Sequence, residues 1–356
     1  MGHRVPSIDM KRTIDLRSDT VTLPTKRMLD AMHGAVLGDD GLDGDPTVRR
    51  LEALACTMLG KEAALLVASG TMGNLIAALV HSRRGGEALV DEDAHIARSE
   101  AGGVSHLAGL MCTRMRAHAG EMVLDEVQAA IRPCFTTHAQ PTAMVVVETS
   151  HNHSGGRVPS IAYMAALQKL ARTADVPVHM DGARIFNAAL ALQTDVASIA
   201  GFSDSVTFCL SKGLSAPMGA VLLGTRDFIS QARTFRRMVG GGWRQGGCIA
   251  AAGVVALEDM PHRLTSDHNR AYTLWRNLHS TSTGLVDARP PQTNMVVVEV
   301  QKNRKHDVAT AVDKLKRRGL LVRSRDQSSL RLVTHRHISD DDIAAATEIV
   351  LDCLAQ

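Results

Sequence analysis

The stretch Val178–Arg184 (Val-His-Met-Asp-Gly-Ala-Arg) ends an apolar run in an acid, a glycine and an arginine. The stretch Leu210–Gly213 (Leu-Ser-Lys-Gly) sets a lysine among small residues behind a second apolar run. Asp181 offers a carboxylate for a ring nitrogen, and Lys212 offers an amine for a Schiff base. Those are the two groups that pyridoxal phosphate (PLP) chemistry requires of a protein. They are separated by about 30 residues, the length of one strand–helix–strand unit, so a single sheet can bring both to the same end.

Taken singly, each residue keeps two readings. Asp181 is either a turn or helix-capping acid, or the partner of a protonated pyridine. Lys212 is either a solvated cation or a cofactor lysine, and Ser211 and Gly213 leave room for a flat ring beside it. Arg184 is either a structural ion-pair partner or a planar fork for a substrate carboxylate. Ser69-Gly70-Thr71 joins a short apolar run to a helical pattern. Such a turn can be a plain cap, or a phosphate cradle of free backbone N–H groups and hydroxyls. His95, just after another apolar run, is either structural, or stacks on a ring or takes a proton. His151 with His153, and His335 with His337, form two HxH pairs. Neither has a third ligand at metal spacing, so no metal is expected.

The elements that must carry these residues follow from the periodicity. Strands are expected at Ala63–Ala68, Ala88–Val90, Ala143–Val147, Val176–Met180, Ser205–Leu210 and Ala220–Leu223, separated by helices such as Ile161–Thr173 and Asp227–Met238. Buried strands alternating with helices predict an α/β doubly wound, largely parallel sheet. Beyond residue 262 the pattern changes to the strands Asn294–Val300 and Ser329–Val333 and the helices Asp307–Arg318 and Asp340–Leu354, a small C-terminal α+β domain. The expected organisation is an N-terminal arm over 1–14, a large PLP-binding domain over 15–261 and the small domain over 262–356. No GxGxxG follows a strand, which argues against a dinucleotide fold.

At 356 residues, 45% hydrophobic and 22% charged, the chain reads as a globular protein, and 3% aromatics imply an aliphatic core. A net charge of +3, spread along the chain, gives no case for nucleic acid. No apolar run approaches the ~18 residues of a membrane span. The first residues lack the apolar core of a secretory signal. Cys56, Cys112, Cys134, Cys209, Cys248 and Cys353 are scattered with no CxxC, as expected of reduced thiols in a cytoplasmic protein.

Nearly the whole chain, from Asp15 onward, resembles the low-specificity L-threonine aldolases, fold-type I PLP enzymes. The resemblance is carried by DLRSDTVT at 15–22, GDD with DPTV over 38–48, SGTMGN at 69–74, AHI and EAGG over 94–103, ETSHN and GGRV over 148–158, HMDGARIFNA at 179–188, LSKGLSAPMGAVL at 210–222, GGGWRQ at 240–245 and LRLVTH at 330–335. It implies a seven-stranded, mostly parallel sheet and retro-aldol cleavage of L-β-hydroxy-α-amino acids to glycine and an aldehyde. It assigns Lys212 the cofactor linkage, Asp181 the ring nitrogen, Ser69, Gly70 and Thr71 the phosphate, and His95 the ring face. Ser18, Arg184 and Arg331 would hold the substrate carboxylate. His138, ten residues ahead of Glu148, would stand near the substrate hydroxyl. The proton acceptor is His95, His138 or a water between them. The resemblance also implies a homodimer or homotetramer with sites at subunit interfaces. Leu42 and Ser99 stand where the family usually has tyrosines, which favours a larger, more apolar β-substituent such as phenyl. The rival readings are another PLP lyase or aminotransferase, and a cofactor-binding protein without catalysis.

Overall fold

The computed structural model describes residues 13–282, 284–300 and 307–354. The arm expected over 1–14 lies outside these residues as far as Arg12. The chain divides into two compact units. One is Thr22–Ser266; the other joins the segment ending at Val21 to the residues from Asp267 onward.

The larger unit is built on seven strands: β1 (Ala63–Val67), β2 (Glu87–Asp91), β3 (Met111–Met115), β4 (Thr142–Glu148), β5 (Val178–Asp181), β6 (Ser205–Cys209) and β7 (Ala220–Gly224). Their order is β1-β7-β6-β5-β4-β2-β3. The strand β7 runs antiparallel to both its neighbours, and every other pairing is parallel. Two reversals cancel, so β1 points the same way as β6, β5, β4 and β2. The inner strands are buried along their full length because helices cover both faces, and so they read as unbroken apolar runs. The expected parallel sheet of seven strands is therefore present. The sequence reading named six of its strands; β3, with the run Met-Cys-Thr-Arg-Met, escaped it. Strand β3 is one of the two outer strands of this sheet and, unlike β1, is mostly exposed or half-buried, so it needs no apolar run.

Helix α1 (Gly70–His81) follows β1 directly, with Ser69 as its cap. Helix α2 (Ile185–Leu192) follows β5 after a three-residue turn. The helix Ile161–Thr173 has the bounds the periodicity predicts. Leu51, Leu66, Val145, Met180, Phe208 and Val221 anchor the main apolar cluster.

The smaller unit has an antiparallel sheet of β8 (Met295–Glu299), β9 (Arg323–Ser324) and β10 (Ser329–Val333), in the order β8-β10-β9. The helices Val308–Arg317 and Asp340–Leu354 belong with it. Ile14–Asp15 pairs in parallel with Leu320–Leu321, and Leu16 joins the core with Val298, Leu315, Leu332 and Ile343. Among the described residues, no helix is long and apolar enough to cross a membrane.

Candidate active site

The parallel strands deliver the predicted residues of the larger unit to one edge of the sheet. Asp181 ends β5, in register with Glu148 at the end of β4. Ser69-Gly70-Thr71 follows the end of β1, His95 follows β2, and Lys212 follows β6. The carboxyl ends of parallel strands are where such folds place ligands, because loops there can vary without disturbing the sheet. The Lys212 turn is fixed by its backbone: Ser215 N–H and the Thr22 hydroxyl both donate to the Lys212 carbonyl, at 2.9 and 2.8 Å. The Lys212 side chain is half-buried and makes no ion pair with any described residue.

Asp181 is 3% exposed. It accepts from Asn74 Nδ2 at 2.9 Å and from the Ala183 N–H at 3.1 Å. No lysine or arginine among the described residues pairs with it. Burying a carboxylate without a cation is costly, so this position calls for a cationic ligand. Asn74 Nδ2 also donates to Glu100 Oε1 at 2.9 Å, and Glu100 is bonded to His95 Nδ1 at 2.8 Å. The His95 backbone N–H donates to Glu148 Oε2 at 2.6 Å. The hydrogen bond that His95 Nδ1 donates to Glu100 holds the imidazole above its ordinary value, while burial pushes the Glu148 carboxyl up. Ligand-type atoms of His95, Glu100 and Asp181 lie within 4.8 Å of one another. Two of those atoms are already bonded to each other, so the cluster is better described as a hydrogen-bonded wall than as a metal centre.

At the start of α1, Ser69 Oγ accepts from Met72 N–H at 3.1 Å, which leaves the amides of Gly70 and Thr71 without intrahelical partners. Glycine is required here by close packing. A Cβ on Gly70 would lie 2.9 Å from Cys209 Sγ, and one on Gly73 would lie 2.5 Å from Thr207 Cγ2. The helix start therefore sits tight on β6, with Ser69 and Thr71 exposed. Arg184 is buried at the start of α2.

In the smaller unit, Ser18 and Arg331 are both buried. Arg331 Nη2 donates to the carbonyl of Arg17, next to Ser18, at 3.5 Å, so the structure brings these two together. His138 does not join the residues at the carboxyl edge. It is exposed in the loop that precedes β4, at the opposite edge of the sheet. The seven residues of β4 separate the two edges by about 20 Å at ~3.3 Å per residue. Leu42 and Ser99 are both exposed.

Sequence reasoning did not single out Asn74, Glu100 or His179, although all three lie inside stretches that carry the resemblance. What could have flagged them was type: an amide, an acid and an imidazole set next to small or apolar residues.

The beta-eliminating lyase family pattern matches residues 15–303. Low-specificity L-threonine aldolase 1 of Arabidopsis thaliana is 39% identical over 348 residues, covering 97% of this chain and 96% of its own. The low specificity L-threonine aldolase of Escherichia coli is 39% identical over 332 residues, covering 93% of this chain and 96% of its own. The threonine aldolase structure from Leishmania major superposes with a TM-score of 0.80 at 17% identity, covering 95% of this chain and 99% of that one; it bears on the fold alone. The chain belongs to the beta-eliminating lyase family, among its low-specificity L-threonine aldolases.

Proposed function

We propose that this chain is a PLP-dependent aldolase that cleaves L-β-hydroxy-α-amino acids of the threonine, allo-threonine and phenylserine type to glycine and an aldehyde. The observation that carries the reading is a buried, cation-less Asp181 at the same sheet edge as an ion-pair-free Lys212 and a glycine-lined helix start. PLP fits this set: its ring nitrogen answers the buried carboxylate, its phosphate suits the amides of Gly70 and Thr71, and its aldehyde suits the amine of Lys212. When bound, it supplies an electron sink for the charge left on Cα as the Cα–Cβ bond breaks.

The chain's own residues do the rest. Asp181 keeps a proton on the ring nitrogen by offering it a fixed negative partner. His95, oriented by Glu100, covers the ring. Arg184, Arg331 and Ser18 hold the substrate carboxylate, which decides which bond at Cα breaks. The β-hydroxyl proton goes to a water positioned by histidine, or to the histidine itself. His95 Nδ1 is already bonded to Glu100, and a ring lying on the cofactor presents its other nitrogen at an awkward angle to the hydroxyl, which favours the water.

His138 reaches substrate as the contribution of a second copy of the chain, because its own β4 holds it at the far edge. This reading makes the working protein a homodimer or homotetramer. His138→Ala is expected to lower kcat/KM by on the order of 10²-fold. Mixing His138→Ala subunits with Lys212→Ala subunits should regenerate about a quarter of the wild-type activity in random dimers, since one site in each mixed dimer is whole. Recovery of nothing after verified exchange would place His138 outside the sites of its neighbours. The six unpaired cysteines fit a reducing compartment such as the cytoplasm.

The product assay tests the reading directly. The PLP-loaded protein, given L-threonine, L-allo-threonine and L-phenylserine in turn, should release glycine and the matching aldehyde in equal amounts. Release of ammonia and an oxo acid in their place would make it an eliminating lyase, and an oxo acid formed without free ammonia would make it an aminotransferase. In the same assay Leu42 and Ser99 predict a higher kcat/KM for phenylserine than for threonine, and the reverse ranking rejects that preference.

A further inference from the structure

Behind Asp181 runs a line of buried polar groups that none of the site assignments uses. Asn74 Oδ1 meets His179 Nε2 at 3.1 Å, His179 Nδ1 meets Ser205 Oγ at 2.9 Å, and Ser205 Oγ meets His81 Nε2 at 2.9 Å. Asn74, His179 and Ser205 are essentially fully buried. Three elements supply them, and their geometry puts them on one face. His179 and Ser205 are register partners on β5 and β6, as are Asp181 and Thr207 two residues further on. Alternate residues of a strand share a face. Asn74 and His81 both belong to α1, two helical turns apart, so they too share a face.

Only one arrangement of hydrogens satisfies the whole line. Asp181 and Glu100, as carboxylates, accept only, so the Asn74 nitrogen must face them. Its oxygen then faces His179, whose Nε2 must carry the hydrogen. His179 Nδ1 is left bare and takes the Ser205 hydroxyl hydrogen, and Ser205 Oγ in turn accepts from His81 Nε2. Burial pushes His179 down to about 3 and His81 down to about 4, so each ring keeps a single hydrogen at neutral pH and neither becomes a second donor. The His81 ring is itself stacked on Phe228, with centroids 4.9 Å apart.

We propose that His81, Ser205 and His179 are positioning residues that lock the Asn74 amide with its nitrogen towards Asp181, and so hold that carboxylate fixed for the ring nitrogen of the cofactor. The inference rests on the PLP reading above and extends it to residues that touch neither cofactor nor substrate. Without the lock, His179 can carry its hydrogen on Nδ1 and present a bare Nε2 to the Asn74 oxygen. The Asn74 oxygen then meets a lone pair in place of a hydrogen, so only the nitrogen bonds to Asp181 and Glu100 hold the amide, and its grip on Asp181 loosens.

The test compares Ser205→Ala with Ser205→Thr, which restores the hydroxyl. Three quantities are read: the PLP dissociation constant of the apo protein, the pH midpoint of the visible absorbance of the PLP-bound protein, and kcat against KM. Ser205→Ala is expected to weaken PLP binding and lower kcat by on the order of tenfold, the size of one buried hydrogen bond, with KM nearly unchanged. The pH midpoint should move up, because a ring nitrogen that loses its proton no longer repels the proton on the Lys212 linkage. Ser205→Thr should return all three towards wild type. Unchanged PLP affinity and an unmoved midpoint in Ser205→Ala would overturn the proposal. Should Ser205→Ala fail to fold, ¹⁵N NMR of the wild-type PLP-bound protein decides: His179 must show its hydrogen on Nε2, and an Nδ1–H ring defeats the lock. If the affinity and midpoint shift as expected while the wild type yields no glycine or aldehyde, the lock stands and the aldolase reading falls.

Discussion

Lys212→Ala is expected to abolish the covalent attachment of PLP and to lower kcat by on the order of 10⁴–10⁶-fold, as loss of a nucleophile does in enzymes whose catalytic groups work as a unit. Two features of the structure drive that size. The Lys212 amine is half-buried beside no carboxylate among the described residues, so nothing local is satisfied by it and nothing local replaces it. The turn that carries it is pinned through its carbonyl by Ser215 and Thr22, and those contacts survive truncation of the side chain. The variant should therefore fold with a wild-type Tm while losing its chemistry. Borohydride reduction followed by peptide mapping should label Lys212 in the wild type and no residue in the variant. Near-normal turnover by Lys212→Ala, with a reducible linkage found elsewhere, would dismantle the assignment of the site.

How much of this was legible follows from the reach of each interaction. The pair Asp181 and Lys212 could be read because one ends and the other closely follows an apolar strand, and in a parallel sheet the strand ends on one side are the site. The turn Ser69-Gly70-Thr71 could be read for the same reason, as strand end and helix cap in one string. Contacts across the chain could not. Ile14 and Leu16 pair with Gly319 and Leu321, which ties the segment before Thr22 to the smaller unit, and no local pattern announces a pairing across 300 residues of chain. The edge strand β3 lacked a signal because four of its five residues are exposed or half-buried, unlike the other outer strand, β1. Asn74, Glu100 and His179 were hidden in a different way. Each is polar in a buried place, and composition marks such a residue as a misfit without saying what it bonds to. His138 shows the converse. Its spacing from Glu148 matched the family, yet ten residues that include a strand carry it to the other edge of the sheet, so spacing alone said nothing about proximity within one chain.

Asp181→Asn is the second substitution with a large expected effect, and it separates shape from charge. Asparagine has nearly the volume of aspartate, so packing against the walls of the pocket is retained. Its amide, however, accepts at one atom only. The Ala183 N–H and Asn74 Nδ2 both donate to residue 181, so one of them would face an NH₂ group and lose its bond. Asn74 has no freedom to turn and answer, because its other nitrogen bond goes to Glu100 and its oxygen is held by His179. The substitution therefore removes the anion that keeps the ring nitrogen protonated and frustrates the amide that positioned it. A fall in kcat on the order of 10²–10³-fold is expected, comparable to the removal of one preorganised charge-stabilising group, together with weaker PLP binding. The loss should exceed that of Ser205→Ala, which leaves the carboxylate in place and disturbs only its support. Measured side by side, kcat should fall in the order wild type, Ser205→Ala, Asp181→Asn, with Lys212→Ala lowest. Asp181→Asn turning over at more than half the wild-type rate would mean that the buried carboxylate serves the fold and that the ring nitrogen finds its proton elsewhere.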